Sequence, residues 1–201
     1  MIRTRLLDLF EQVVVAVLFC FLIARLWPDE FSPSQWYPLL ILLSEGIVAF
    51  FLLIRRGTEK ISTRAQDWLI AFGGTLFPLL VMKGSDPLSA EIGVVLMLSG
   101  LYIHLGAKLS LRRSFGLVAA DRGIKARGLY ACVRHPMYIG YITTHIGYLL
   151  VAPTWWNLTV YLATWTLLVM RIFAEERLLL RNPEYQEYST RIRYRLIPLV
   201  F

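Results

Sequence analysis

Six apolar runs, at roughly 9–27, 36–54, 68–82, 88–107, 137–152 and 155–173, fill most of this 201-residue chain. Nothing else in the sequence constrains its fold as much. A helix needs about 20 apolar residues to cross about 30 Å of hydrocarbon, and a backbone inside hydrocarbon must satisfy its own hydrogen bonds. Four runs reach that length within a residue or so. Runs 68–82 and 137–152 are short, so they lie in a thinned region or begin inside the interface. With 57% hydrophobic and 17% charged residues and a mean hydropathy of +0.56, the chain is too apolar for a soluble domain of this size. The expectation is an all-α, polytopic transmembrane helical bundle forming one integral-membrane domain, 1–201. Its last two segments, joined by "APTWWN", make a helical hairpin with interfacial tryptophans.

The net charge is +7. In a membrane protein such an excess speaks first of topology and anionic lipid rather than nucleic acid. Basic residues cluster in 1–8, in 55–66 (Arg55, Arg56, Lys60, Arg64), in 108–136 and in 171–201, while "PDEFSPSQ" and "PTWWN" have none and "KGSDP" has one. All the basic stretches then fall on one side, cytoplasmic by the positive-inside rule, with both termini there too. Arg3 and Arg5 precede the first run, but Asp8 and Glu11 interrupt them and no small-residue cleavage site follows, so this run is read as an uncleaved span. Cys20 and Cys132 suggest neither a disulfide framework nor a metal site.

The stretch "VRHPMYIGY", 133–141, does not look like a lipid-facing helix. Pro136 suits the first turn of a helix, where its missing N–H costs nothing. The helix start offers free N–H groups and a positive dipole end. With Arg134 and His135 just before it, this makes an anion site suited to a carboxylate or phosphate. Tyr138, Tyr141, His145 and Tyr148 recur on one helical face. Gly140, Thr144 and Gly147 form a small-residue stripe that allows close helix approach. A basic flank with interfacial anchors would explain Arg134 and the tyrosines, but not a histidine a dozen residues along a span.

The stretch "RIFAEERLLL", 171–180, continues the sixth run. Glu175 and Glu176 lie about 100° apart around a helix, so they face differently. Arg171, four residues before Glu175, is an available partner. The hairpin returns this stretch to the depth of Arg134 and His135. Beyond it, Asn182 caps a short helix with Pro183 first and Glu184 and Glu187 in its opening turn; "RIRYRLIP" ends it. Glu45, ten residues into the second run, is either a functional carboxylate or a neutral acid tying helices together, and the second is preferred. Glu91 is expected at the interface and His104 in a structural role.

Arg-His-Pro-x-Tyr-x-Gly, a Glu-Glu pair 33 residues after "RHPMYIGY", and the tail "EYQEYSTRIRYRLIP" together resemble the isoprenylcysteine carboxyl methyltransferase family, whose superfamily includes phospholipid N-methyltransferases. The resemblance covers about residues 105–201. It implies a membrane enzyme using S-adenosyl-L-methionine, with N-terminal spans in 1–107 and a cofactor-binding catalytic half in 108–201. Carried over, Arg134, His135, Pro136, Tyr138, Gly140, Glu175, Glu176 and Pro198 belong to a cytoplasmic cofactor pocket. Tyr138, Glu175 and Glu176 are its catalytic candidates, Tyr141 and His145 would meet the acceptor, and no metal is implied. The expected partners are membrane lipids and a lipophilic or lipid-modified acceptor, with no nucleic acid. Prenylcysteine carboxylate, a phospholipid amine and a small hydrophobic thiol or acid all remain open as acceptors. Membrane sterol reductases, which bind NADPH, share Arg-His-Pro-x-Tyr and a similar tail. They differ at Met137, typically Asn there, and lack the clean Glu-Glu pair. A non-catalytic scaffold is the third reading, against which the density of motifs argues.

Overall fold

The computed structural model describes residues 2–28, 36–53, 64–84, 86–111 and 126–201. Arg55, Arg56, Lys60, most of "PDEFSPSQ", residues 112–125 of the long basic loop and the side chains of Arg3 and Arg5 lie outside the described residues. The architecture is all-helical, without strands among the described residues: α1 (Ile2–Leu26), α2 (Pro38–Leu53), α3 (Ala65–Leu76), a 3₁₀ turn (Phe77–Leu80), α4 (Ala90–Leu111), a second 3₁₀ turn (Gly128–Ala131), α5 (Pro136–Val151), α6 (Trp155–Leu179) and α7 (Pro183–Arg191). Each apolar run is a helix. Two of them, α4 and α6, are long and apolar enough to cross a membrane.

The third run stops early because Pro78 opens a 3₁₀ turn directly after α3. Carbonyls beyond that break cannot pair within a helix, and an apolar surrounding would leave them costly. Side chains satisfy them. Arg25 donates to the Leu79 carbonyl and Trp156 Nε1 donates to Leu80 O at 2.8 Å. Tyr148 OH and Asn157 Nδ2 both donate to Met82 O, at 3.0 and 2.9 Å. This accounts for the isolated Arg25 near the end of the first run. It also shows that "APTWWN" does more than turn the chain: Thr154 caps α6 by accepting from Asn157 N, and the buried Asn157 clamps the segment after α3.

α4 and α5 meet along glycines. A Cβ on Gly140 would lie 2.5 Å from His104 N and 2.7 Å from Gly100 O, and one on Gly147 would lie 2.6 Å from Gly93 O. The small-residue stripe of α5 therefore packs backbone to backbone on α4, as expected of such a stripe. The approach brings Tyr141 against Lys108 of α4 at 4.4 Å and leaves Tyr138 to reach Glu175 of α6. Lys108, counted above with the basic loop, lies instead in the last full turn of α4 and is fully buried. Its Nζ donates to His104 Nδ1 at 2.9 Å, and His104 Nε2 meets Ser44 Oγ at 2.9 Å, tying α4 to α2. Glu91 is exposed, as expected near a helix end.

Candidate active site

Pro136 stands at the first position of α5 and His135 is its N-cap. α6 runs unbroken past its apolar part to Leu179, carrying Glu175 and Glu176 to the same level. Adjacent helical positions diverge, yet both carboxylates reach His135 from opposite sides of its ring. Glu175 Oε2 lies 3.7 Å from Nδ1 and Glu176 Oε1 lies 3.2 Å from Nε2. Their other partners differ. Tyr138 OH donates to Glu175 Oε1 at 2.6 Å, and Arg171 Nε donates to the same oxygen at 3.1 Å, the pairing its spacing suggested. Glu176 is held at 3.1 Å by Arg134 Nη1 and at 2.8 Å by Arg195 Nε. Tyr138 and His135 stack at 5.7 Å between ring centroids.

The tail completes the cluster. After α7, the chain runs back across the start of α5. Arg134 N donates to Tyr194 O at 2.9 Å and His135 N to Arg195 O at 2.8 Å. These two N–H groups, which precede α5, pin the tail to the helix start. Arg134 Nη2 adds a bond to Arg193 O at 3.2 Å. Tyr188 anchors α7 by donating to Tyr130 O at 2.7 Å. Burial pushes the Tyr188 phenol up to about 12, against the opposing pull of Arg134 and Arg191, so it stays a neutral donor. Burial likewise raises Tyr185. Leu196 is buried, while Pro198 is exposed in the turn beyond it.

The structure therefore brings Arg134, His135, Pro136, Tyr138, Glu175 and Glu176 together. Gly140 lies on the α4 seam. Tyr141 and His145 lie deeper along α5, lining a cavity with Glu45 and Arg171. Sequence reasoning missed Arg195 as a partner of Glu176. The alternating arginines of "RIRYRLIP" were the available signal, since an extended chain presents alternate residues on one side. Two buried polar atoms beside the cluster, Arg134 Nε and Tyr185 OH, have no hydrogen-bond partner among the described residues. Three arginines (Arg134, Arg171, Arg195) face two carboxylates here. The cluster can thus take an anionic or hydroxyl group from a ligand.

An ionic network buried where α5 begins and α6 ends, among apolar helices of which α4 and α6 are long enough to cross a membrane, is the pattern of a membrane protein with a polar site at one end of its bundle. Residues 92–181 match the family model described as the isoprenylcysteine carboxyl methyltransferase (ICMT) family. These residues hold the α4–α5 seam, Arg134-His135-Pro136 and Glu175-Glu176, so over this part the chain is similar to that family, and the match supports a membrane methyltransferase. No curated protein matches the chain.

Proposed function

We propose that the protein transfers a methyl group from S-adenosyl-L-methionine to a lipophilic acceptor, with the cofactor held between the start of α5, the end of α6 and the tail. The observation that carries this reading is the convergence of Glu175 and Glu176 on His135, with Arg134 Nε and Tyr185 OH left unpaired beside them. The group fits these residues. Its carboxylate suits the surplus guanidinium charge, and its ribose hydroxyls suit a glutamate that still has acceptor capacity. When bound, it supplies an electrophilic methyl on a sulfonium, so the enzyme needs no nucleophile of its own. Arg134, His135 and Glu176 would bind and orient it, with Pro136 setting the helix start. Tyr138 and Glu175 would hold the reacting end from the deeper side. Positioning and exclusion of water then carry much of the rate. Pro198 and its neighbours would close the tail over the site, and Gly140 would allow the close helix packing behind it.

The same reading includes six membrane crossings, a cytoplasmic site and cytoplasmic termini, with 1–107 as N-terminal spans and 108–201 as the catalytic half. It is supported by α4 and α6, the two described helices long and apolar enough to cross a membrane, and by the basic residues of 171–201. The test is binding to the detergent-purified protein. S-adenosylhomocysteine should bind and NADPH should not. His135→Ala removes no permanent charge, so it should insert normally yet lose about tenfold or more in kcat/KM, about 1.4 kcal/mol. NADPH binding without S-adenosylhomocysteine binding would favour the reductase instead. Full methyl transfer by His135→Ala would remove this cluster from the site.

A further inference from the structure

The outer stripe of α6 marks a boundary. Leu162, Met170 and Phe173 are exposed on it, and Arg177 follows one turn on, at the level of the Glu175–Glu176 cluster. These positions share one helical face, so the stripe passes from apolar to charged within about 6 Å of helix. The tail crosses that point. Leu196 is buried, and Phe201 packs edge-on against Phe173 at 6.0 Å between ring centroids. The Arg195 guanidinium lies 5.5 Å from the Phe173 ring and 5.2 Å from the Phe201 ring.

Between Leu196 and Phe201 the chain makes a hydrogen-bonded turn. Phe201 O accepts from Arg195 N, Leu196 N and Ile197 N at 2.9, 2.8 and 3.0 Å, and Phe201 N donates to Ile197 O at 3.0 Å. The turn displays Ile197, Leu199 and Val200, which are 54%, 85% and 76% exposed. Leu199 has φ 68°, in the left-handed region that disfavours a side chain as bulky as leucine. An apolar tip fixed by hydrogen bonds, strained and bare, is costly against water and favourable against lipid. The exposed charges of the tail are Arg181, Arg191 and Arg193 against Glu184 and Glu187, so its balance is basic.

We propose that Ile197, Leu199 and Val200 insert into the bilayer beside α6, with Arg191 and Arg193 at the headgroup phosphates, and that this anchor holds the tail over the site. The proposal rests on the membrane reading above. Lipid is the occupant because the turn packs on Phe173, where the exposed stripe of α6 is still apolar. The basic balance of the tail suits an anionic surface in the same way. The tail grips the cluster just before this tip: Arg195 O accepts from His135 N at 2.8 Å, and Arg195 Nε donates to Glu176 at 2.8 Å. Insertion of the tip therefore resists opening of the tail at the cluster.

The test uses the full chain in vesicles of phosphatidylglycerol and phosphatidylcholine. An NBD fluorophore is attached at Leu199→Cys in a Cys20→Ser, Cys132→Ser background, and at Glu187→Cys, on the exposed side of α7, for comparison. A nitroxide on the upper acyl chain should quench the Leu199→Cys probe roughly twofold or more above aqueous iodide, and the order should reverse for the Glu187→Cys probe. A Leu199→Cys probe quenched by iodide like its comparison overturns the proposal, and one shielded from both quenchers overturns it in favour of a second copy of the chain. Leu199→Asp with Val200→Asp removes the anchor without touching the cluster. Aspartate tolerates φ 68° better than leucine, so the turn itself is not weakened. Trypsin should then cut at Arg193 roughly fivefold faster or more in vesicles, and a wild-type rate would refute the link between insertion and closure. S-adenosylhomocysteine binding is measured separately: an inserted tip in a protein that does not bind it supports the anchor while refuting the cofactor reading.

Discussion

Glu176→Gln isolates the link between the catalytic cluster and the tail. The Glu176 side chain is 4% exposed and accepts from Arg134 at 3.1 Å, His135 at 3.2 Å and Arg195 at 2.8 Å. Glutamine keeps one acceptor oxygen but turns an NH₂ toward one of the arginines. A hydrogen bond to a charged group contributes about 1.5–3 kcal/mol. Arg195 is 31% exposed, so solvent screens its share and the lower half of that range applies. The remaining tail contacts survive: the backbone bonds from Arg134 and His135, the Tyr188 anchor and the burial of Leu196. The net loss is then about 2 kcal/mol, which raises the open fraction of the tail about 30-fold. Trypsin reads this directly, because Arg191, Arg193 and Arg195 all lie in the tail. When opening is fast relative to cleavage, the cleavage rate follows the open fraction. The expected result is cleavage roughly 30-fold faster at these arginines, with the rest of the chain unchanged. A normally folded variant cut at the wild-type rate would show that Glu176 does not hold the tail, and the closure argument would fall with it.

Gly140→Leu should separate α4 from α5, since even a Cβ would meet backbone atoms of His104 and Gly100 within 2.7 Å; overpacking of about 1–3 kcal/mol or more should appear as a lower melting temperature in detergent. Tyr188→Phe should cost about 1–3 kcal/mol by leaving Tyr130 O unpaired. The same phenol is held up to about 12 from 10.0 by burial. Its raised value means its stabilisation is intact below about pH 10 and is lost as pH climbs toward about 12. The wild-type decline in melting temperature over that window should therefore be steeper than that of Tyr188→Phe. Cys132 is exposed beside the site, so an impermeant maleimide should label it in inside-out but not right-side-out vesicles, in a Cys20→Ser background; labelling from outside alone would invert the topology.

Much of this protein was legible in local chemistry. Pro136, Pro183 and Asn182 fix helix starts through a missing N–H and a capping oxygen, which act over one turn and need no tertiary partner. The stripe of Gly140, Thr144 and Gly147 gave a close helix contact, because only small residues share a face at that spacing. The spacing of Arg171 and Glu175 likewise gave a pair one turn apart. What the sequence left undecided depends on which distant segments meet. Arg25 caps a carbonyl 54 residues away. Lys108 turned inward to His104 because α4 continues past the apolar run. Glu175 and Glu176 diverge by helical geometry, and they share His135 only because α5 begins between them while the tail brings Arg195 to the far side. Periodicity fixes the faces of a helix, whereas the pairing of those faces depends on the packing of the whole bundle. That packing alone set Glu45 beside His145, on the wall of a cavity the size of one water.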